Sequence, residues 1–214
     1  MQEQSRGTSV TLVTYLVFGA LIVAWTAAWI IKEHLDVYNP WYAAGVGSFF
    51  YWTAAKLLLW ILPAAALLRL SGRSLWSVLN LRNWRAWLAW GGGLGMLLGA
   101  TGIIANYWEG KPLFPTEFSW PLVNVLVTAP LLEEFLMRGA VMENLAMEQP
   151  FWKANLVSSL MFVLLHVPGW LFMEAGLGGA LPVFLISIVL GLAAHRSRSV
   201  LGGVIAHFLN NLFA

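Results

Sequence analysis

Residues 9–31 form an unbroken apolar run of about the 20 residues that a bilayer's hydrocarbon core demands of a helix. A cleaved signal peptide has a shorter apolar core and precedes a soluble protein, whereas here further runs follow, so this one reads as a first membrane span. With 59% hydrophobic and 10% charged residues and a mean hydropathy of +0.73, the chain is expected to be an integral membrane protein. The predicted fold class is all-α: a polytopic membrane helical bundle of about seven transmembrane helices, near 9–31, 41–68, 86–106, 120–147, 151–166, 181–195 and 200–213. No linker, repeat or low-complexity tract divides the chain, so 1–214 is expected to be a single domain.

The formal charge of +2 comes from few residues, most of them in short loops, and reports topology. Arg6, Arg69, Arg73, Arg82, Arg85, Arg138, Lys153, Arg196 and Arg198 thread to one side and only Lys32 and Lys111 to the other. That asymmetry predicts a multi-pass protein of the cell (plasma) membrane with a cytoplasmic N-terminus, and the short loops and small size suggest a prokaryote. There is no basic patch for nucleic acid, and no feature specifies an oligomeric state. The absence of cysteine removes disulfides, thiolate catalysis and cysteine metal sites together.

Within the spans, exceptions to apolarity carry the information. Lys56 sits mid-span, too deep to snorkel easily, and is expected to face the bundle. Gly91, Gly92, Gly93, Gly95 and Gly99 suit close approach of a neighbouring helix, and with no preceding strand they do not form a phosphate loop. Helix 5 is expected to stop at His166, before Pro168 and Gly169. Trp41, Trp108, Trp120 and Trp170 on one side and Trp76, Trp84, Trp87 and Trp152 on the other read as interfacial belts. Glu143, Glu148 and Glu174 read as solvated.

The stretch 131–138 sets Glu133, Glu134 and Arg138 into an apolar helix, where ionised groups are rarely kept without a task. Residues four apart share a helix face, so Glu134 is expected to pair with Arg138 and leave Glu133 free. Later spans add Phe162 with His166, and His207 with Asn211, each pair also four apart. Three helices can therefore converge an acid, two imidazoles and an amide on one point.

In order, Glu133-Glu134-x-x-x-Arg138, Phe162-x-x-x-His166 and His207-x-x-x-Asn211 resemble the motifs of the CAAX-protease and bacteriocin-processing (CPBP, or abortive-infection) family. The resemblance covers a core of about 121–214, and Lys56 in its helix also has the family's look. It implies a glutamate-type intramembrane endopeptidase in which Glu133 and His166 activate water and His207 and Asn211 hold the oxyanion. Glu134 and Arg138 take the place of the family's second glutamate and arginine, with Phe162, Lys56 and Asn210 in support. The residues fit that chemistry, because a desolvated carboxylate suits a group that takes a proton from water and returns it to a leaving amine.

Glu133, His166 and His207 can also make up a His2Glu zinc set, but no His-Glu-x-x-His helix is present, and the expectation is no cofactor and no obligate metal. The expected partners are the lipid bilayer and a membrane-associated protein or peptide substrate. Two other classes of function stay open: a non-proteolytic membrane scaffold or immunity factor, and a small transporter using Lys56, Glu133 and His166 as a relay. No inverted-repeat symmetry supports the transporter, since the polar motifs all follow residue 120.

Overall fold

The computed structural model describes residues 9–214, which form helices and no strand. The main helices are α1 (Val10–Tyr38), α2 (Gly45–Leu70), α3 (Trp84–Trp108), α4 (120–145), α5 (Phe151–Phe172), α6 (Ala180–Ser197) and α7 (Val200–Phe213). Helices long and apolar enough to cross a membrane lie at Val10–Tyr38, Gly45–Leu70, Leu75–Trp108, Phe151–Phe172 and Ala180–Ser197, five in all among the described residues. The sequence reading counted seven, and α4 and α7 are the two that fall short. At about 1.5 Å per residue, the 14 residues of α7 reach less far than a hydrocarbon core of about 30 Å. The α-helical course of α4 is broken by wide turns, and it carries the ionised groups.

Two of the wide, π-type turns lie just ahead of prolines: 57–61 before Pro63 in α2, and 124–128 before Pro130 in α4. Proline offers no N–H to the carbonyl four residues back and its ring crowds that carbonyl, which a widened turn relieves. A third wide turn, Phe135–Met142, has no proline, and every residue from Leu136 to Met142 in it is buried. The bundle is packed around this part of α4. Phe18, Leu21 and Trp25 of α1, Trp60 and Leu67 of α2, and Met161 and Leu165 of α5 close over it.

The loops gather at two ends. At one end, Arg73 pairs with Glu143 at 2.6 Å, Asn80 donates to the Arg198 carbonyl at 2.9 Å, and Asn83 donates to that of Ser197 at 2.7 Å. There too the start of α1 meets Glu148, which accepts from the Ser9 hydroxyl and from the backbone N–H groups of Val10 and Thr11. Glu143 and Glu148, read as solvated, are thus tied to other segments. Arg138 is buried in the bundle and leaves the count of loop cations, and Arg6 lies outside the described residues.

The Ser9 hydroxyl, then Thr11 and the backbone donors, hold the Glu148 carboxyl down to about 2 from its ordinary 4.5. A depressed carboxyl contributes stability above its unfolded value and loses it as pH falls through the folded one. Amide protection at Val10 and Thr11 is therefore expected to hold at pH 5 and to fade as pH drops from 4.5 toward 2. Loss already complete at pH 5 would contradict the contact.

Two boundaries move. The stretch 32–38, which lies between the spans expected near 9–31 and 41–68, continues α1, with buried Lys32 bonded to Asp36 one turn on. Helix α5 continues through Pro168 to Phe172. Tertiary packing holds it: a Cβ on Gly169 would lie 2.9 Å from the Trp29 ring, which stacks on Phe172 with ring centroids 5.9 Å apart.

The glycines of α3 do bring a helix close, as expected. A Cβ on Gly91 would come within 2.6 Å of the Gly202 carbonyl oxygen, and one on Gly95 within 2.8 Å of Ala206 Cα, so α3 sets the position of α7. Gly95→Leu is expected to destabilise the fold by at least the ~1–3 kcal/mol typical of overpacking, whereas Gly92→Leu, which faces open space, is expected to be neutral. Thermal unfolding of the two variants checks this, and equal transitions would sink it.

Candidate active site

Helices α1, α2, α4, α5, α6 and α7 line a cavity of about 510 Å³. The predicted Glu133, His166, His207 and Asn211 all lie on its wall, as do the supporting Lys56, Phe162 and Asn210. Glu134 and Arg138 do not line it. They stand behind it, with Glu134 fully buried.

Glu133 is not free. Its Oε1 accepts from Lys56 Nζ at 3.0 Å, with both side chains buried. A lone carboxylate in so dry a setting would be strongly disfavoured, and the ammonium from α2 answers its charge. The predicted pair on α4 is present, Arg138 Nη1 donating to Glu134 Oε1 at 3.1 Å. The same oxygen lies 2.9 Å from His207 Nδ1. Arg138 Nη2 donates to the Ser187 carbonyl and hydroxyl, each at 2.8 Å, which ties α4 to α6. One buried carboxylate thus orients a histidine on α7 and is itself fixed by an arginine.

His166 Nδ1 lies 2.8 Å from the Phe162 carbonyl oxygen, one helical turn back, which sets the ring's orientation. The Phe162 ring meets both His166 and His207, with centroids 4.7 and 6.2 Å away, and Arg138 sits 4.9 Å from it on another side. The Asn211 amide donates to the Val125 carbonyl at 2.9 Å and accepts from Asn210 Nδ2 at 3.0 Å, so its orientation is set from both ends.

The remainder of the wall is aromatic. Trp25 and Trp60 approach with centroids 4.5 Å apart, Trp29 and Trp52 at 4.3 Å, and Trp170, expected in an interfacial belt, sits 5.6 Å from His166. Trp25 Nε1–H donates to the Leu165 carbonyl at 3.0 Å, pinning α1 beside His166. Trp25, Trp29, Trp52 and Trp60 are not among the site residues expected from the sequence, although the last two stand four residues either side of Lys56 and so share its helix face. A mostly apolar cavity with a few convergent polar groups has the make-up of a binding or catalytic pocket.

Among the described residues, no group of three or more His, Cys, Asp or Glu side chains is arranged to hold a metal ion. Lys56 occupies one oxygen of Glu133, and the Glu133, His166 and His207 side chains are not gathered into one such group.

No curated protein and no solved structure matches the chain. Residues 115–213, which hold every motif residue from Glu133 to Asn211, match the family model described as Type II CAAX prenyl endopeptidase Rce1-like, in agreement with the CPBP resemblance carried by those motifs.

Proposed function

We propose that this chain is an intramembrane endopeptidase that cleaves a membrane-associated protein or peptide by glutamate-activated attack of water, with no obligate metal. The observation that carries the reading is the meeting of Glu133, His166, His207 and Asn211, from three helices, on one cavity wall. Only Oε1 of Glu133 accepts from Lys56, which leaves Oε2 to take a proton from a water held between it and His166. The oxygen of that water attacks the scissile carbonyl carbon, and the carbonyl oxygen gains the negative charge. Glu133 then returns the proton to the departing amine.

His207 and Asn211 face the developing oxyanion. With Nδ1–H donating to the Glu134 carboxylate, His207 can donate from Nε2 as well only as an imidazolium. Two carboxylates, Lys56, Arg138 and that imidazolium sum to one positive charge, which suits a site that must hold a transient anion. Asn211 spends one amide hydrogen on Val125 and keeps the second for the same oxygen. Preorganised donors of this kind contribute on the order of 3 kcal/mol each.

The arginine-rich end is assigned to the cytoplasm on the charge asymmetry of the loops, and the short loops and small size support a prokaryotic plasma membrane. The experiment is a comparison of peptide termini in membranes of cells expressing wild type or Glu133→Gln at matched levels. Termini present only with wild type would support proteolysis and identify the substrate. Identical termini, with the cellular phenotype kept by the variant, would favour a scaffold.

A further inference from the structure

A second cavity, of about 590 Å³, opens at the arginine-rich end and shares no lining residue with the first. Its wall carries Arg73, Arg138, Arg196 and Arg198 against a single carboxylate, Glu143. Arg73 is balanced by Glu143 and Arg138 by Glu134, while Arg196 and Arg198 have no carboxylate partner among the described residues. Two positive charges are therefore in surplus. Arg138 is only 2% exposed and is held by Glu134 and Ser187, so it contributes a fixed charge, whereas Arg198 and Arg196, the latter 5.5 Å over the Trp90 ring, are exposed.

The cavity is held in shape by the fold. Asn80 and Arg198 both take left-handed backbone, at φ 41° and 53°, and the Asn80 side chain donates to the Arg198 carbonyl. The Ser199 hydroxyl donates to the Leu79 carbonyl, joining the α6–α7 turn to the short helix Leu75–Leu79. Ser199 and Val200 bring the N-terminus of α7 to the cavity, where the helix dipole favours negative charge. Exposed Trp76, Trp84 and Trp152 surround this end of the bundle, as side chains do at headgroup depth.

We propose that this cavity binds a phosphate group, supplied by an anionic phospholipid headgroup or by free phosphate. Arginine forks match phosphate oxygens, and basic pockets between membrane helices are suited to lipid headgroups. The site stands whatever the other cavity does, although Arg138 joins the two through Glu134 and His207.

The test uses the full chain purified in phospholipid nanodiscs. Native mass spectrometry is expected to show at least tenfold greater retention of phosphatidylglycerol than of phosphatidylcholine. The double variant Arg196→Gln/Arg198→Gln is expected to erase that preference. Lys153→Gln, an exposed cation near this end that does not line the cavity, is expected to keep it. If free phosphate is the source, inorganic phosphate will raise the Tm saturably in phosphatidylcholine discs, in wild type and not in the double variant. The proposal is overturned if neither effect is present, if the double variant behaves as wild type, or if Lys153→Gln loses the preference equally.

Discussion

Arg138→Met is expected to destabilise the protein by about 3–5 kcal/mol, the range for removing one partner of a buried ion pair. Glu134 is completely enclosed, and its Oε2 has no hydrogen-bond partner and would sit 2.7 Å from a Cβ on Gly203, so the carboxylate depends on the guanidinium and His207 for compensation. The substitution also strips the donors from the carbonyl and hydroxyl of Ser187. The double variant Glu134→Gln/Arg138→Met removes the stranded charge and is expected to recover much of the loss, because the penalty lies in the uncompensated carboxylate more than in the missing contact. Thermal unfolding in one detergent reads both. A single variant within about 0.5 kcal/mol of wild type, the range of ordinary surface substitutions, would mean that Glu134 does not carry its charge in the fold.

Glu133→Gln is expected to lower the rate of peptide-bond hydrolysis by about 10²–10⁴-fold, the usual contribution of a positioned general base. Glutamine keeps an oxygen for Lys56 Nζ, so the change removes the proton acceptor and leaves the packing in place. The change also strands the buried Lys56 ammonium, so the variant is expected to be less stable than wild type yet to fold, and to bind substrate while failing to turn it over. A fall in kcat with KM unchanged would place the loss in the chemical step. A rise in KM alone would make Glu133 a binding group.

Contacts within one helix were legible in the sequence, and contacts between helices were not. Glu134 and Arg138 stand four apart, and helix geometry alone predicts their pairing. That Glu133 is answered by Lys56 depends on a residue 77 positions away, which no local spacing encodes. The depth of Lys56 in an apolar run did indicate that it faces inward, and it is buried. The glycines of α3 predicted a close neighbour without naming it, and packing against α7 supplies the name.

Which tryptophans line the cavity is not legible in the sequence, because tryptophan in a membrane chain has an ordinary place at the interface, where Trp170 is expected. Its approach to His166 follows from the continuation of α5 beyond Pro168, which packing against Trp29 enforces and local rules for proline oppose. The loop carboxylates Glu143 and Glu148 were misjudged for a related reason: their partners arrive only when the ends of the bundle assemble.

The most direct test of the account is cleavage of a substrate identified from wild-type membranes by the purified full chain, in 1,10-phenanthroline, beside Glu133→Gln prepared identically. The account predicts that wild type cuts at an undiminished rate in the chelator and that the glutamine variant, folded, does not cut. Cleavage abolished by the chelator, or preserved in Glu133→Gln, would contradict it.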